Sequence, residues 1–329
     1  MRTPFVTLNA NLNYREPRRG PRLKRVIFRN GLSKKEALKL CTSTEGYVDL
    51  VTELTPNDAR QVESSQYARL VTSDGNEVVT GVFNRFQSEV DFDSYDLRAS
   101  LNMAIQREEI VQNVYKGMAT LTPALTPPWA YDFPEGLEPI KYDFTKSREL
   151  FLRSNYPKDR PLKIAAFKKH ESLLHVVAAQ IQKTLSTQVT TIVVPQDQEV
   201  KWKRVVAEKK LNPGWDILLA STTTQFYEGT PAFFHREMFG SDGALRTGPE
   251  LPGFDQIYKK MANQVQREEL LAAAKEVDRY VFEKALSLFL CVPQKIYAVN
   301  KHVDFKPYRT TLELAETEVG EMHWSRKVR

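Results

Sequence analysis

The stretch LKIAAFKKHESLLHVVAAQIQKTLSTQVTTIVV (Leu162–Val194) decides the fold of this 329-residue chain. Its two ends, Leu162–Ala166 and Val189–Val194, both predict strands, and the second is rich in β-branched residues. Between them, the apolar residues of Glu171–Leu185 recur at the spacing of one helix face. The stretch therefore predicts a β-α-β unit.

The chain downstream extends this unit. A polar helix is predicted at Asp197–Lys209, and a third strand at Trp215–Ala220 (WDILLA). The order β-α-β-α-β predicts parallel strands with right-handed crossovers in an open α/β sheet. Because ligands of such sheets bind beyond the carboxyl ends of the strands, the loop Ser221–Phe234 is the predicted ligand-binding loop. An ordinary strand-to-helix connection would occupy the same position.

The composition is typical of a folded globular chain. Hydrophobic residues make up 41% and charged residues 27%, which permits a sizeable core and argues against long disorder. The longest apolar run, Ala285–Val292, is too short to cross a bilayer. The net charge of +6 is compatible with acidic partners but does not require them. Cys41 and Cys291 are far apart in sequence and are expected to be two separate buried thiols.

Four further segments complete the predicted secondary structure. Residues 68–84 predict a β-hairpin, with Asp74–Gly75 in the turn. Leu97–Tyr115 predicts one amphipathic helix, and Arg267–Leu288 predicts a second. Residues 119–141 are rich in proline, which forbids a regular helix and predicts a stiff, exposed loop.

Several stretches carry a resemblance to a known family. They are NLNYREPRRGPRLKRVIFR (Asn11–Arg29), EGYVDLV (Glu45–Val51), LRASLNMAIQREEIV (Leu97–Val111), the stretch around Thr126–Pro127–Pro128, YDFTKSRELF (Tyr142–Phe151) and KIYAVNKHVDFKP (Lys295–Pro307). In this order and spacing they resemble the family 5 extracellular solute-binding proteins, which include the oligopeptide- and dipeptide-binding proteins of ABC importers. Leu97–Val111, similar to the family pattern V-R-Q-A-L-N-Y-A-I-D-R-E-A-I, is the most specific of these stretches.

The resemblance implies the two-lobed, type II architecture of periplasmic binding proteins. Residues 85–304 would form lobe II, the solute-binding lobe that contains the open sheet. Residues 1–84 and 305–329 would form the rest of lobe I. Because the match starts well inside the family's chain, lobe I is expected to be incomplete.

The chain departs from the family at one position of the implied ligand site. Peptide binders of the family often place an aspartate just after the strand that corresponds to WDILLA, where it pairs with the amino terminus of the peptide. By hand alignment this position is Gln225. A neutral amide cannot form that charge pair, so the resemblance does not extend to this mode of binding a peptide amine.

Ligand contacts are expected from three segments: the end of the predicted hairpin, the proline-rich stretch and the loop after the third strand. Phe83 and Trp129 have an alternative role as packed aromatic residues of the core. The expected contacts are Phe83, Asn84, Trp129, Thr222, Thr224, Gln225, Phe226 and Tyr227.

The resemblance implies the solute-binding component of an ABC importer, which captures peptides or similar small solutes in an inter-lobe cleft by hinge closure. The expected partners are the ligand and the membrane subunits of the transporter. The protein is expected to be a monomer that binds no nucleic acid or cofactor and is not an enzyme. Two alternatives stay open: a cytoplasmic ligand-sensing domain with the same fold, and a nucleic-acid-binding protein that uses the basic run Arg15–Arg25.

Neither a catalytic site nor a metal site is expected. His170 and His175 are separated by about 140° around a helix, which does not suit one zinc ion. No nucleotide-binding or nucleophile motif occurs. Met1–Asn11 lacks the apolar segment of an export signal. The resemblance implies a location in the periplasm or cell envelope, and the lack of a signal leaves the cytoplasm open.

Overall fold

The computed structural model describes residues 5–16, 20–198, 200–201, 204, 208, 214–223, 232–243, 245, 248–249 and 251–327. These residues form two compact units. Unit 1 combines the chain before Gly75 with the chain after Pro293, and unit 2 is the continuous segment Gly75–Pro293. Both boundaries lie N-terminal to those predicted. The assignment of the units to the lobes of the family stays a prediction.

The described strands, in chain order, are β1 (Phe5–Asn9), β2 (Arg25–Arg29), β3 (Leu50–Val51), β4 (Ala68–Ser73), β5 (Glu77–Phe83), β6 (Ala119–Leu121), β7 (Leu162–Phe167), β8 (Val189–Val194), β9 (Ile217–Thr223), β10 (Ser287–Pro293), β11 (Lys295–Asn300), β12 (Val303–Asp304) and β13 (Glu318–Val319). The described helices are α1 (Lys34–Ser43), α2 (Pro56–Glu63), α3 (Tyr95–Met103), α4 (Arg107–Asn113), α5 (Phe144–Arg153), α6 (Glu171–Leu185), α7 (Phe233–Phe239), α8 (Pro252–Ala262), α9 (Arg267–Glu283) and α10 (Trp324–Lys327).

Unit 2 is built on a mixed sheet with the strand order β6-β10-β5-β9-β7-β8. The strands β9, β7 and β8 are parallel, as the β-α-β-α-β pattern predicts. β5 and β10 extend the sheet antiparallel, with β5 paired along the whole length of β9. The helix α6 has the predicted bounds, whereas the helix predicted at Asp197–Lys209 lies largely outside the described residues.

Helices cover both faces of this sheet. On one face, α3, α4 and α6 pack against apolar side chains of β5, β7, β9 and β10, such as Phe83, Ile164 and Leu288. On the other face, α7, α8 and α9 pack against Val82 and Phe289. Alternate residues of β5 and β10 therefore enter two different cores, which is the pattern of strands buried on both sides.

A buried arginine divides the helix that was predicted at Leu97–Tyr115. Arg107 is 1% exposed, and its guanidinium donates to the carbonyl oxygens of Asn102 at 2.9 Å, Ile105 at 3.3 Å and Phe289 at 2.7 Å. The break between α3 and α4 exposes the first two carbonyls to this side chain. The single-helix prediction is wrong because the requirement comes from β10, which is remote in sequence.

The helix predicted at Arg267–Leu288 is also shorter than expected. α9 ends at Glu283, Ala285 adopts a left-handed backbone conformation with φ 48°, and β10 follows. The run Ala285–Val292 is therefore mostly a central strand. A strand buried on both faces is continuously apolar, so its sequence resembles the extension of an apolar helix.

The hairpin predicted at residues 68–84 does not form. β4 pairs with β11, whereas β5 pairs with β9 and β10 in a different sheet. Gly75 is needed for a close approach: a Cβ atom there would lie 1.8 Å from the Pro293 carbonyl oxygen. The Asp74–Gly75 pair thus marks the passage from unit 1 to unit 2.

The proline-rich loop is partly buried, which corrects the prediction of an exposed path. Residues 122–127 are buried, and the Asp278 carboxylate of α9 accepts hydrogen bonds from the Leu125 and Thr126 amides. Buried backbone amides outside helices and strands need such acceptors. Side-chain anchoring therefore replaces regular structure in this loop.

Unit 1 contains a three-stranded sheet, β3-β11-β4, flanked by α1 and α2, and the separate ribbons β1-β2 and β12-β13. Ser33 caps α1, as its position before the helix suggests. The Asp49 Oδ1 atom accepts hydrogen bonds from His323 Nε2 at 3.0 Å and Trp324 Nε1 at 2.8 Å, which fixes α10. Cys41 of unit 1 and Cys291 of unit 2 are both buried free thiols, as predicted.

Replacing Arg107 by lysine should destabilise unit 2 by about 3 kcal/mol, because an ammonium group cannot serve all the carbonyls that the guanidinium serves. Urea unfolding measures the change. The exposed Arg153, which pairs with Asp96, provides the control, since Arg153→Lys should cost less than about 0.5 kcal/mol. Equal losses in the two variants would contradict this role of Arg107.

Candidate ligand-binding site

The sheet of unit 2 has a topological switch point between β7 and β9. These strands are parallel neighbours. From β7 the chain continues through α6 to β8 on one side, and from β9 it continues towards β10 on the other side. The connections diverge at the carboxyl ends of β7 and β9, and ligands of open α/β sheets bind in the crevice that such divergence creates.

Three polar side chains meet at this switch point. The Lys169 Nζ atom donates to Ser221 Oγ at 2.7 Å and lies 3.3 Å from Glu77 Oε2. The side chains of Lys169 and Glu77 are 45% and 44% exposed. Lys169, Ser221 and Glu77, hereafter the edge cluster, therefore offer a cation, a hydroxyl and an anion to solvent.

Two of the residues predicted from the sequence lie near the edge cluster. Thr222 of β9 is buried, and its hydroxyl donates to the Val78 carbonyl at 3.4 Å. The half-buried Trp129 donates its indole N–H to the Gly75 carbonyl oxygen at 2.7 Å. Gly75 precedes β5, whose first residue is opposite Thr223 of β9. Both predicted residues are thus at the edge where β9 ends.

Phe83 and Asn84 lie at the opposite edge of the sheet. β5 runs antiparallel to β9, so Phe83 is paired with Ile217 at the start of β9. Phe83 is fully buried and stacks on Phe92 at 5.2 Å between ring centroids. The buried Asn84 Nδ2 donates to the Trp215 carbonyl at 2.7 Å. The fold does not bring these two residues together with the edge cluster, because strand β5 separates them by roughly 20 Å.

The remaining predicted contacts, Thr224, Gln225, Phe226 and Tyr227, lie outside the described residues. Their participation in ligand binding stays a prediction.

A buried carboxylate supports the loop that carries Trp129. Asp278 Oδ1 accepts from Leu125 N at 3.0 Å and from His235 Nε2 at 2.7 Å, and Oδ2 accepts from Thr126 N at 3.2 Å. Asp278 is 0% exposed. Burial raises its pKa, but His235 and the hydrogen bonds from Thr126 and Leu125 outweigh burial and lower the pKa below its usual value.

Further contacts between α9 and the same loop lie near its surface. Lys275 Nζ donates to Glu135 Oε1 at 2.8 Å, and Arg279 donates to the Glu135 carbonyl oxygen at 3.0 Å. Burial, and to a smaller extent the nearby Asp278 charge, raise the pKa of Asp132 in this loop. α9 is therefore the platform on which the proline-rich loop rests.

Within the part of the chain that the structure describes, no group of three or more His, Cys, Asp or Glu side chains could hold a metal ion. Among the same residues, no helix is both long and apolar enough to cross a membrane.

Residues 3–243 match the model of a family described as bacterial extracellular solute-binding proteins, family 5 Middle. This chain belongs to that family. The match covers most of the chain and confirms the family that the sequence motifs resemble.

Similar proteins of known structure share the fold. The ABC transporter substrate-binding protein CtaP of Listeria monocytogenes gives a TM-score of 0.81 at 19% identity, over 97% of this chain and 65% of that chain. The oligopeptide-binding protein AppA of Bacillus subtilis, solved with a nonapeptide, gives 0.71 at 16% identity, over 97% and 65%. Heme-binding protein A of Haemophilus influenzae is 27% identical over 114 residues, which are 34% of this chain and 20% of that protein.

This family 5 chain spans less than two thirds of the length of these relatives. The mixed α/β fold matches that of two-lobed, type II periplasmic binding proteins, which confirms the predicted fold class. CtaP is described as a substrate-binding protein of an ABC transporter, and the family is described as extracellular solute-binding proteins.

Two residues of the candidate site in this family 5 chain, Lys169 and Asp278, were not predicted, although the sequence contains a signal for each. Lys169 follows the strand β7, so the rule that selected Ser221–Phe234 also applies to it. Asp278 lies within the apolar stripe of α9, between Ala274 and Val281. A carboxylate in such a stripe indicates a buried group with dedicated hydrogen-bond donors. No local signal indicates that Glu77 of β5 would lie beside Lys169.

The stabilising effect of Asp278 should depend on pH. Its pKa is lower in the folded protein than in the unfolded chain, so its contribution is present above about pH 4 and is lost as the pH falls through the folded pKa. The stability difference between the wild type and Asp278→Asn should therefore be largest near pH 7 and should shrink below pH 4. Urea unfolding between pH 3 and pH 7 tests this, and a difference independent of pH would refute it.

Proposed function

We propose that this chain captures a peptide or a similar small solute at the switch-point edge of unit 2, for delivery to the membrane subunits of an ABC importer. The observation that carries the proposal is the edge cluster, an exposed pair of opposite charges at the position where open α/β sheets bind ligands. Binding requires no bond chemistry, and we propose no enzymatic activity.

The charges of the edge cluster favour a zwitterionic ligand. Lys169 can donate to a ligand carboxylate, and Glu77 can accept from a ligand ammonium group. A free peptide or amino acid carries both groups. Glu77, opposite Thr223 in the sheet, offers the carboxylate that Gln225 does not supply.

Trp129 can supply an apolar wall for ligand side chains. Its indole N–H donates to the Gly75 carbonyl oxygen, and its aromatic ring offers a large apolar surface. The Thr222 hydroxyl already donates to the Val78 carbonyl oxygen. We therefore expect Thr222 to shape the end of β9 and not to donate a hydrogen bond to the ligand. Polar groups at an edge beside an aromatic wall are typical of small-solute sites.

The relatives described above support this class of ligand. One is an oligopeptide-binding protein solved with a nonapeptide, and another is a heme-binding protein. The charge pair of the edge cluster favours the peptide class for this chain. A location outside the cytoplasmic membrane, in the periplasm or cell envelope, accords with the family's description as extracellular, and we propose that the protein is a monomer. The hinge closure implied by the family resemblance stays a prediction.

A pool of unmodified tetrapeptides should raise the melting temperature of the purified protein by several degrees. A ligand at a hundred times its Kd adds about 2.7 kcal/mol of stability. The same pool with acetylated amino termini and amidated carboxyl termini should stabilise much less, because it lacks the charges that Lys169 and Glu77 would bind. Equal shifts with the two pools would argue against recognition of the peptide termini.

The variants Lys169→Gln and Glu77→Gln should each weaken peptide binding by about tenfold in calorimetry, since each loses one charge-assisted hydrogen bond. The matched controls are Lys306→Gln and Glu316→Gln, which remove an exposed ion pair of unit 1. Wild-type affinity in both edge-cluster variants would remove the basis for placing the ligand at this edge.

A further inference from the structure

One buried carboxylate holds two segments of unit 2 at a single point. Asp278 accepts hydrogen bonds from Leu125 and Thr126 of the proline-rich loop and from His235 of α7. Asp278 is 0% and His235 3% exposed, so water cannot easily replace either partner. The loop and α7 thus share one anchor on α9.

Both anchored segments lead along the chain to proposed ligand contacts. Thr126 is followed by Pro127 and Pro128, whose fixed φ angles transmit the position of the anchor to Trp129. In sequence, α7 begins shortly after Gln225 and Tyr227, which were predicted as ligand contacts and lie outside the described residues. Asp278 therefore constrains both the residues shortly before Trp129 and the helix α7.

We infer that Asp278 is a positioning residue that couples the Trp129 loop to α7, so that the two segments become ordered together. One part of this inference, the role of Trp129 as a ligand contact, rests on the proposed function. Coupling is reciprocal, so a ligand that orders Trp129 also orders α7.

The coupling follows from the cost of a buried charge. With three donors, the Asp278 carboxylate is compensated although it is fully buried. If the His235 bond is lost, the remaining amide donors of the loop must compensate the charge alone, which favours movement of Asp278 towards solvent. Release of α7 should therefore also loosen the loop, although no atom of the loop has been changed.

The test uses hydrogen exchange of the full-length protein by NMR, without any ligand. The probes are the Leu125 and Thr126 amides and the Trp129 indole N–H, which donates to Gly75. The variant His235→Phe should accelerate exchange at all three probes by about tenfold, the effect expected for weakening a hydrogen bond to a charged group. His235→Gln, which restores an N–H donor, should return the rates towards those of the wild type.

The control is a second histidine–aspartate pair, in which the histidine is buried and the aspartate side chain is 33% exposed. His323 of unit 1 is 2% exposed and bonds Asp49 at 3.0 Å. His323→Phe should destabilise unit 1 and leave the three probes of unit 2 unchanged. Wild-type exchange in His235→Phe, or equal acceleration in His323→Phe, would overturn the coupling.

Measurements of peptide binding distinguish a failure of this inference from a failure of the proposed function. His235→Phe should bind the unmodified tetrapeptide pool about tenfold more weakly than the wild type does, although Lys169 and Glu77 are both present. His235→Gln should bind as the wild type does. If the wild type binds no peptide, the proposed function fails, while the exchange data still decide the coupling. If the wild type binds and His235→Phe binds equally well, the positioning role fails and the proposed function survives.

Discussion

The guanidinium groups of Arg98 and Arg107 impose the constraint on which the arrangement of unit 2 depends. Burial lowers the pKa of each to about 10, so both remain charged at neutral pH. Their described partners are almost entirely carbonyl oxygens. Arg98 donates to the carbonyls of Phe92 and Lys284, and Arg107 to that of Phe289. Because a buried cation must keep its acceptors, α3 and α4 are tied to the entry and the middle of β10.

That constraint determines where the edge cluster forms. With β10 fixed beside β5, and β5 antiparallel to β9, the start of β5 is at the edge where β9 ends. Glu77 therefore reaches Lys169, and Gly75 accepts from Trp129. Phe83, at the other end of the same strand, serves the core. The direction of β5 therefore places charged and aromatic groups at one edge of the sheet and apolar core residues at the other.

Local patterns predicted those parts of the fold that local interactions determine. The three parallel strands and α6 were predictable because their apolar spacing is independent of the rest of the chain. The division of Leu97–Tyr115 into two helices was not predictable, since it depends on the hydrogen bond from Arg107 to the Phe289 carbonyl. The pairing of β4 with β11 instead of β5 was not predictable either. The same limit applies to the candidate site. The predicted third strand ended at Ala220, three residues before the end of β9, and the approach of Glu77 to Lys169 depends on contacts distant in sequence.

The close approach of Gly75 to the Pro293 carbonyl means that the two ends of unit 2 meet. In unit 1, Ser73 of β4 is paired directly with Lys295 of β11. In the chain, unit 2 is therefore a continuous insertion between two strands of unit 1 that pair with each other, β4 and β11. Joining β4 to β11 by a two-residue turn would close unit 1 without unit 2. Residues 75–293 could be transplanted or circularly permuted with little or no linker, since their termini are already adjacent.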